Sequence, residues 1–150
     1  MIEAGTKAPD FALRDQDGTE VTLSDFAGRK LLLVFYPLDF SPVCTDQLSL
    51  YQEVLSEIEA KGARLVGVSV DSAYCHKAFQ EHLNLTMPLL ADFHPKGAMS
   101  SAYGAYREDR GATNRSLVLI DEDGVVEWSF ASPSTAEIPG ANLIFDALSS

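Results

Sequence analysis

The sequence predicts an α/β layered fold with a mixed central sheet. A strand, a helix and a second strand follow one another between residues 31 and 70, which is the pattern of a βαβ unit with parallel neighbouring strands. Two hairpin patterns, one near each end of the chain, add antiparallel strands to that unit. Strands of both directions, interleaved with helices, indicate a sheet that is covered by helices.

The first hairpin is predicted from two short alternating runs, residues 11–13 and 21–23, on either side of the turn residues 15–18. A short turn over residues 24–28 follows it. The run 31–36 is apolar throughout, as expected for a central strand that is covered on both faces.

The amphipathic spacing after Cys44 predicts a helix that reaches Ala60 or Lys61, with Gly62 as its C′ residue. The other predicted elements are a strand at 64–70, a helix from 71 to about 84, a short strand at 87–91, a weaker helix at 95–103, a charged loop at 106–114, a second hairpin with strands 116–120 and 125–130, and a closing helix at about 141–148.

Composition narrows the range of functions. A chain of 150 residues is expected to form one domain, residues 1–150. The net charge of −11 argues against a nucleic-acid partner or an anionic membrane surface. The first five residues lack the basic start and apolar region of a signal peptide, and no apolar run approaches the length of a membrane span. We therefore expect a cytoplasmic protein.

Cys44 is the candidate nucleophile. Ser41 is a favourable N-cap and Pro42 suits the first helical position, so Cys44 falls at the third position of the helix. Free backbone N–H groups and the helix dipole stabilise a thiolate in such a position. Pro37 ends the preceding strand and restricts the loop. The alternative is an inert buried cysteine that packs as a small apolar residue.

Other chemistries have less support in the sequence. The two cysteines form neither a CxxC motif nor a zinc pattern. No pair among His76, His82 and His94 has a recognised ligand spacing, so no metal is expected. A cysteine hydrolase needs a histidine paired with Cys44, and nothing near His76 suggests an acyl site. A cysteine phosphatase needs an arginine a few residues after the cysteine, and none occurs between Cys44 and Lys61.

The pattern Pro37-x-x-x-Ser41-x-x-Cys44 resembles the proline, threonine-or-serine, cysteine signature of the peroxiredoxins. The resemblance extends over nearly the whole chain, through the opening residues 5–11 and the stretch 88–92. Arg115 stands in the place of the active-site arginine of that family. The chain is most similar to the alkyl hydroperoxide reductase E type, next to the bacterioferritin-comigratory type.

This resemblance implies a thioredoxin-like fold with an N-terminal β-hairpin and an α/β insertion. It implies a thiol-dependent peroxidase that reduces hydrogen peroxide and organic hydroperoxides. Cys44 would be the peroxidatic cysteine, which attacks one peroxide oxygen and becomes a sulfenic acid. Ser41, Arg115 and backbone N–H groups would stabilise the leaving oxygen, and Pro37 would cover the thiol.

The resemblance also implies no metal, haem or flavin, and a thiol reductant, which would be thioredoxin, glutaredoxin or a low-molecular thiol. It implies a homodimer that forms through loops near the active site, with Phe40, Phe93 and Tyr103 as candidates for that surface. An alternative function is a redox-sensing, thioredoxin-like interaction protein in which oxidation of Cys44 is a signal and not a turnover step.

Arg115 is expected to lie close to Cys44. In a thioredoxin-like sheet the strand that follows Arg115 runs antiparallel to the central strands, so its start lies at the edge where the parallel strands end. Asp39 and Asp46 are close to Cys44 in sequence and would oppose a thiolate, so the site needs a cation. Gln47 stands where a glutamate is frequent in relatives, and its role stays open.

Cys75 is a candidate resolving thiol. Ser72-x-x-Cys75 repeats the spacing of the first motif, and a Ser72 cap puts Cys75 at the third position of a helix that starts at the same sheet edge. The resolving positions of some relatives are occupied here by Ser49 or lie near Gln80. Resolution by Cys75 and resolution by an external thiol both stay open.

Overall fold

The computed structural model describes residues 1–149. Its strands are β1 (Ala12–Arg14), β2 (Glu20–Thr22), β3 (Lys30–Phe35), β4 (Ala63–Ser69), β5 (Leu89–Ala91), β6 (Tyr106–Arg107), β7 (Ala112–Thr113), β8 (Ser116–Ile120) and β9 (Val126–Ala131). Its α-helices are α1 (Pro42–Glu53), α2 (Leu55–Ala60), α3 (Ala73–Leu83), α4 (Ala98–Ala102) and α5 (Ala141–Leu148), and a 3₁₀ turn spans Leu23–Phe26. None of the described helices is long and apolar enough to cross a membrane.

The predicted mixed sheet is confirmed. It has seven strands in the order β2-β1-β5-β4-β3-β8-β9. The three central strands β5, β4 and β3 are parallel to one another. β8 and β9 continue the sheet antiparallel on one side, and the N-terminal hairpin β1–β2 is attached antiparallel to β5 on the other. Both predicted hairpins therefore extend the central parallel strands.

The central strand β3 separates two apolar clusters. Leu32 and Val34 face the cluster that includes Leu48 of α1 and Ile144 of α5. The alternate residues of β3 face the second cluster, under the N-terminal segment and α4. Residues of a strand alternate between its faces, so a strand that is buried on both sides must be apolar at every position. This explains the continuous apolar run that marked β3 in the sequence.

The predicted helix after Cys44 is interrupted at Val54. The backbone N–H of Val54 donates to the carbonyl of Tyr51, three positions back, and not to the residue four positions back. The last turn of α1 is therefore of the tighter 3₁₀ type. A second helix, α2, begins at Leu55 and buries the side chains of Leu55 and Ile58. The apolar spacing continued across the break, and the sequence therefore gave no sign of it.

The prediction of a loop at residues 106–114 is wrong. Tyr106 pairs with Thr113 and Arg107 with Ala112 in a two-stranded hairpin, β6–β7. Glu108, Asp109 and Arg110 form the exposed tip of this hairpin, while Ala112 and Thr113 are buried. Strands of two residues are too short to produce a recognisable alternation.

Tyr103 was expected to lie on a surface that contacts another protomer, but the structure buries it. Its ring is fully buried and packs against Phe35, with 5.6 Å between ring centroids. Its hydroxyl donates a hydrogen bond to the Pro9 carbonyl at 2.7 Å. Tyr103 therefore fixes α4 and the N-terminal segment to the sheet.

Candidate active site

The site lies at the edge of the sheet where β3 and β4 end and β8 begins. Pro42 is the first residue of α1, and Cys44 is the third, as predicted. The Cys44 side chain is fully buried. The hydroxyl of Thr113 in β7 donates a hydrogen bond to the Tyr36 carbonyl, so the unpredicted β6–β7 hairpin fixes the end of β3. We call residues 37–41, between β3 and α1, the cysteine loop.

Arg115 faces Cys44, as the sheet topology predicted. Nη2 of Arg115 donates a hydrogen bond to Sγ of Cys44 at 3.3 Å, and the arginine is only 2% exposed. Arg115 immediately precedes β8 and shares the face of Leu117, which packs in the same cluster as Cys44. The positive charge of the buried guanidinium therefore lies directly beside the buried sulfur of Cys44.

Gln47 and Tyr51 hold Arg115 in place. Oε1 of Gln47 accepts a hydrogen bond from Nη1 of Arg115. Nε2 of Gln47 lies 3.2 Å from the Tyr51 hydroxyl, which donates to the Pro139 carbonyl at 2.6 Å. Burial raises the pKa of Tyr51 to about 12, so its hydroxyl stays a donor at neutral pH. The Thr135 carbonyl accepts from Nε of Arg115 at 2.9 Å.

Sequence reasoning left the role of Gln47 open and did not find Tyr51, Thr135 or Pro139. Tyr51 belongs to the apolar stripe of α1 and looked like an ordinary core residue. Thr135 and Pro139 act through backbone carbonyls, which any residue type provides. The neutral amide of Gln47 orients the guanidinium of Arg115 without cancelling its positive charge.

The two aspartates that were expected to oppose a thiolate lie in different environments. Asp46 is exposed. Asp39 is buried, but its carboxylate accepts a hydrogen bond from the Tyr36 hydroxyl at 2.5 Å and lies 2.7 Å from Nδ1 of His76. The charge of Asp39 is therefore directed at partners other than Cys44.

The other two motif residues shape the cysteine loop. Pro37 is half-buried at its start. Ser41 is the N-cap residue of α1, yet its side chain caps no backbone N–H of the helix. Its hydroxyl donates to the Leu38 carbonyl at 2.8 Å and closes the loop on itself. Its carbonyl accepts the N–H of Thr45 at 2.9 Å.

Cys75 occupies the predicted third position of α3, and the Ser72 hydroxyl caps its backbone N–H at 3.2 Å. Its environment is the opposite of that of Cys44. Sγ lies 3.8 Å from Oδ1 of Asp71. Burial, together with the carboxylates of Asp39 and Asp71, raises the pKa of the Cys75 thiol to about 12. Both cysteines are free thiols in this structure.

One group in the described part of the chain has the composition of a metal site. Side-chain atoms of Asp39, Asp71 and Cys75 lie within 4.8 Å of one another. Oδ2 of Asp71 already accepts hydrogen bonds from the Asp39 backbone N–H at 2.9 Å and from the Ser69 hydroxyl at 2.5 Å. The acceptor atoms of this group are directed at protein donors, and the group does not fit a metal ion.

Comparison with known proteins gives consistent matches. The AhpC/TSA family pattern matches residues 4–129. Alkyl hydroperoxide reductase E of Mycobacterium tuberculosis is 37% identical over 149 residues, which cover 99% of this chain and 97% of that protein. A putative bcp peroxiredoxin of Helicobacter pylori is 38% identical over 133 residues, which cover 86% of this chain and 88% of that protein.

Solved structures agree with the sequence matches. The peroxidoxin BcpB of Mycobacterium tuberculosis superimposes with a TM-score of 0.85 at 27% identity, covering 99% of this chain and 96% of that one. The AhpC of Enterococcus faecalis superimposes with a TM-score of 0.91 at 26% identity, covering 99% of this chain and 92% of that one.

The environment of Cys75 predicts slow alkylation. In a Cys44→Ser variant, where Cys75 is the only thiol, the rate of reaction with iodoacetamide should rise with pH around a midpoint of about 12. In urea the same thiol should titrate near its ordinary value of 9.0. Because folding raises this pKa, the bound proton stabilises the fold below pH 9, and that contribution is lost as the pH rises toward 12.

Mass spectrometry at several pH values measures both rates. Asp71→Asn should lower the midpoint in the folded protein, because it removes one of the two carboxylates that face the thiol. A folded-state midpoint at or below that of the urea-unfolded protein would contradict this description of the site.

Proposed function

The chain belongs to the AhpC/TSA family and is a thiol-dependent peroxidase of the peroxiredoxin type, and we propose that Cys44 is the residue that reacts with the peroxide. The fold is the thioredoxin-like one of the peroxiredoxins, and we propose that the chain functions as one such domain. The observation that carries the proposed role is the 3.3 Å contact between Nη2 of Arg115 and Sγ of Cys44 in a buried site.

In the proposed reaction, the Cys44 thiolate attacks one oxygen of a hydroperoxide. An S–O bond forms as the O–O bond breaks, so sulfur loses two electrons and the peroxide gains them. Cys44 becomes a sulfenic acid, and the leaving oxygen takes a proton to give water or an alcohol. Arg115 supports both ends of this step, because its charge favours the thiolate before attack and the leaving oxygen during it.

Pro37 and Ser41 have supporting roles in the proposal. Pro37 covers the thiol at the start of the cysteine loop and limits the entry of water. The Ser41 hydroxyl, which donates to Leu38 in the resting site, supplies a further polar contact for the peroxide after rotation of its proton. Leu38 and Phe40 are 44% and 48% exposed beside the site, and they favour organic hydroperoxides in addition to hydrogen peroxide.

We propose that an external thiol completes the cycle. Attack on the sulfenic acid requires a thiolate, and the raised pKa keeps Cys75 protonated at neutral pH. An external thiol would displace water from the sulfenic acid to form a mixed disulfide, and a second thiol would then release Cys44. The reductant is thioredoxin, glutaredoxin or a low-molecular thiol. A Cys44–Cys75 disulfide is the competing route.

Antioxidant turnover in the cytoplasm fits the remaining features. An acidic chain of net charge −11 with two free cysteines suits a reducing compartment. The chemistry requires no metal, haem or flavin, and the charge gives no support to nucleic acid or a membrane as partner.

We further propose that the protein is a homodimer that associates through the apolar residues around the active-site edge. Phe40 and Phe93 are 48% and 57% exposed, and Tyr74, which the sequence did not single out, is 89% exposed. Tyr74 and Phe93 line one cavity between β1 and the start of α3. Large exposed apolar side chains grouped in this way are typical of a protein interface.

Substitution of the two cysteines tests the enzyme. Cys44→Ser should abolish thiol-dependent consumption of hydrogen peroxide, because no nucleophile remains. Cys75→Ser should keep most of the turnover with dithiothreitol as reductant.

Intact-mass analysis of the oxidised wild-type protein should show the mass of a sulfenic acid on Cys44 with Cys75 free. A Cys44–Cys75 disulfide would refute the external-thiol route. If Cys44 is oxidised once and no thiol reductant then supports repeated peroxide consumption, the redox-sensing alternative would be favoured.

Arg115→Lys tests the role of the guanidinium. Lysine keeps a positive charge but has one nitrogen in place of the three that contact Thr135, Gln47 and Cys44, so the rate constant for oxidation of Cys44 should fall by roughly 100- to 1000-fold. Competition with a reference peroxidase measures that constant. Arg29→Lys, an exposed substitution at the start of β3 on the opposite edge, is the matched control and should leave it unchanged.

Phe93→Asp tests the proposed dimer. A carboxylate in an apolar interface is left unpaired, so the dimer should dissociate to monomers at micromolar concentration. Sedimentation velocity over a range of concentrations distinguishes the two states. Ala27→Asp, an exposed residue on the opposite edge of the sheet, should remain dimeric. A wild-type protein that sediments as a monomer at all concentrations would exclude the proposal.

A further inference from the structure

A buried pair of side chains beside the active site has no part in the proposed chemistry. It consists of Asp39 in the cysteine loop and His76 in α3, and both side chains are completely inaccessible to solvent. Nδ1 of His76 lies 2.7 Å from Oδ2 of Asp39. The Tyr36 hydroxyl donates to the other carboxylate oxygen of Asp39 at 2.5 Å. Buried polar groups with this degree of pairing fix the segments that they join.

The contacts of His76 define where its protons lie. Nε2 is 3.0 Å from the Leu90 carbonyl, and a carbonyl oxygen only accepts, so Nε2 carries a proton. The short contact at Nδ1 then requires a second proton between the ring and Asp39, because two lone pairs would repel each other there. His76 therefore bridges β5 and the cysteine loop, and the Tyr36 hydroxyl lies a further 3.4 Å from Nδ1.

Further contacts connect the cysteine loop to α3 and to the residues before it. The backbone N–H of Asp39 donates to Oδ2 of Asp71 at 2.9 Å. The ring of Phe40 packs against Phe79 and His82, at centroid distances of 5.0 and 5.8 Å. Phe40 has a φ of 65°, a left-handed conformation that is unfavourable for a residue with a side chain. The loop therefore depends on α3 to keep its shape.

We propose that the Asp39–His76 contact is a latch that positions the cysteine loop for reaction with the peroxide. Both residues are positioning residues, since they act on Cys44 through the backbone that leads from Asp39 into α1. The latch holds Pro37 and Ser41 where they border the path to the thiol. Its loss would displace the reacting groups without removing any of them. This inference rests on the proposed role of Cys44.

Two substitutions of His76 separate the latch from general stability. In His76→Gln, the amide nitrogen can take the position of Nε2 and keep the Leu90 contact, while the contact with Asp39 is lost. In His76→Asn, the amide nitrogen can take the position of Nδ1 and keep the Asp39 contact, while the Leu90 contact is lost. Each variant removes one hydrogen bond from the same buried site. The bond to the Asp39 carboxylate is the stronger of the two, so H76Q should lower the melting temperature more than H76N does, and the kinetics are measured well below both melting temperatures.

Below their melting temperatures, the two folded variants should differ in the peroxide reaction and not in the reduction that follows it. H76Q should lower the second-order rate constant for oxidation of Cys44 by hydrogen peroxide roughly 10- to 100-fold, and H76N by about threefold or less, because small displacements of reacting groups are costly. Stopped-flow fluorescence of Trp128, the single tryptophan, or competition kinetics measures this constant. Reduction of the sulfenic acid by dithiothreitol needs no positioned peroxide and should change little in either variant.

A double substitution tests whether the two residues act as one unit. Asp39→Ala should slow the peroxide reaction as H76Q does, and the combination of both should add little, because the second change removes a contact that is already broken.

Equal losses of the rate constant in H76Q and H76N would overturn the latch, as would an unchanged rate constant in H76Q. The proposed function fails by a different result, namely peroxidase turnover that survives Cys44→Ser. The two failures are therefore distinguishable.

Discussion

The contact between the Arg115 guanidinium and the Cys44 sulfur is the interaction on which the rest of the site depends. Arg115 is among the largest fully buried side chains of the protein. A buried cation is stable only when its donors are paired, and here the partners are Gln47, the Thr135 carbonyl and the thiol itself. Most of the surrounding structure can be understood as the support that this arrangement requires.

The sheet topology supplies that support. The cysteine loop follows the carboxyl end of β3, and antiparallel β8 starts at the same edge of the sheet. A residue just before β8 must therefore lie beside a residue just after β3. The period of two along β8 then decides on which face Arg115 lies. Residues from α1 and from the segment before α5 complete the guanidinium's contacts, which ties both helices to the active site.

Much of this arrangement was accessible from the sequence, because long periodic segments and the motif around Cys44 carry strong local signals. The family resemblance singled out Arg115, and the strand direction of a thioredoxin-like sheet then predicted that it lies beside Cys44. The break at Val54, the β6–β7 hairpin and the burial of Tyr103 were missed or predicted wrongly, since each depends on tertiary contacts that leave the local pattern unchanged. Gln47 and Tyr51 lie on the buried face of α1, and only the folded chain shows that Gln47 contacts Arg115 and that Tyr51 contacts Gln47.

The two cysteines show most clearly why local sequence is insufficient. Both follow a serine by three residues, and both occupy the third position of a helix at the same sheet edge. Their local helical fields are therefore similar, yet Cys44 faces a guanidinium and Cys75 faces two carboxylates. The charges that decide the difference come from Arg115, Asp39 and Asp71, and two of these act on a thiol far from them in sequence. In this protein the helix start gives each thiol its position, and the charges brought by other segments give the two thiols opposite electrostatic environments.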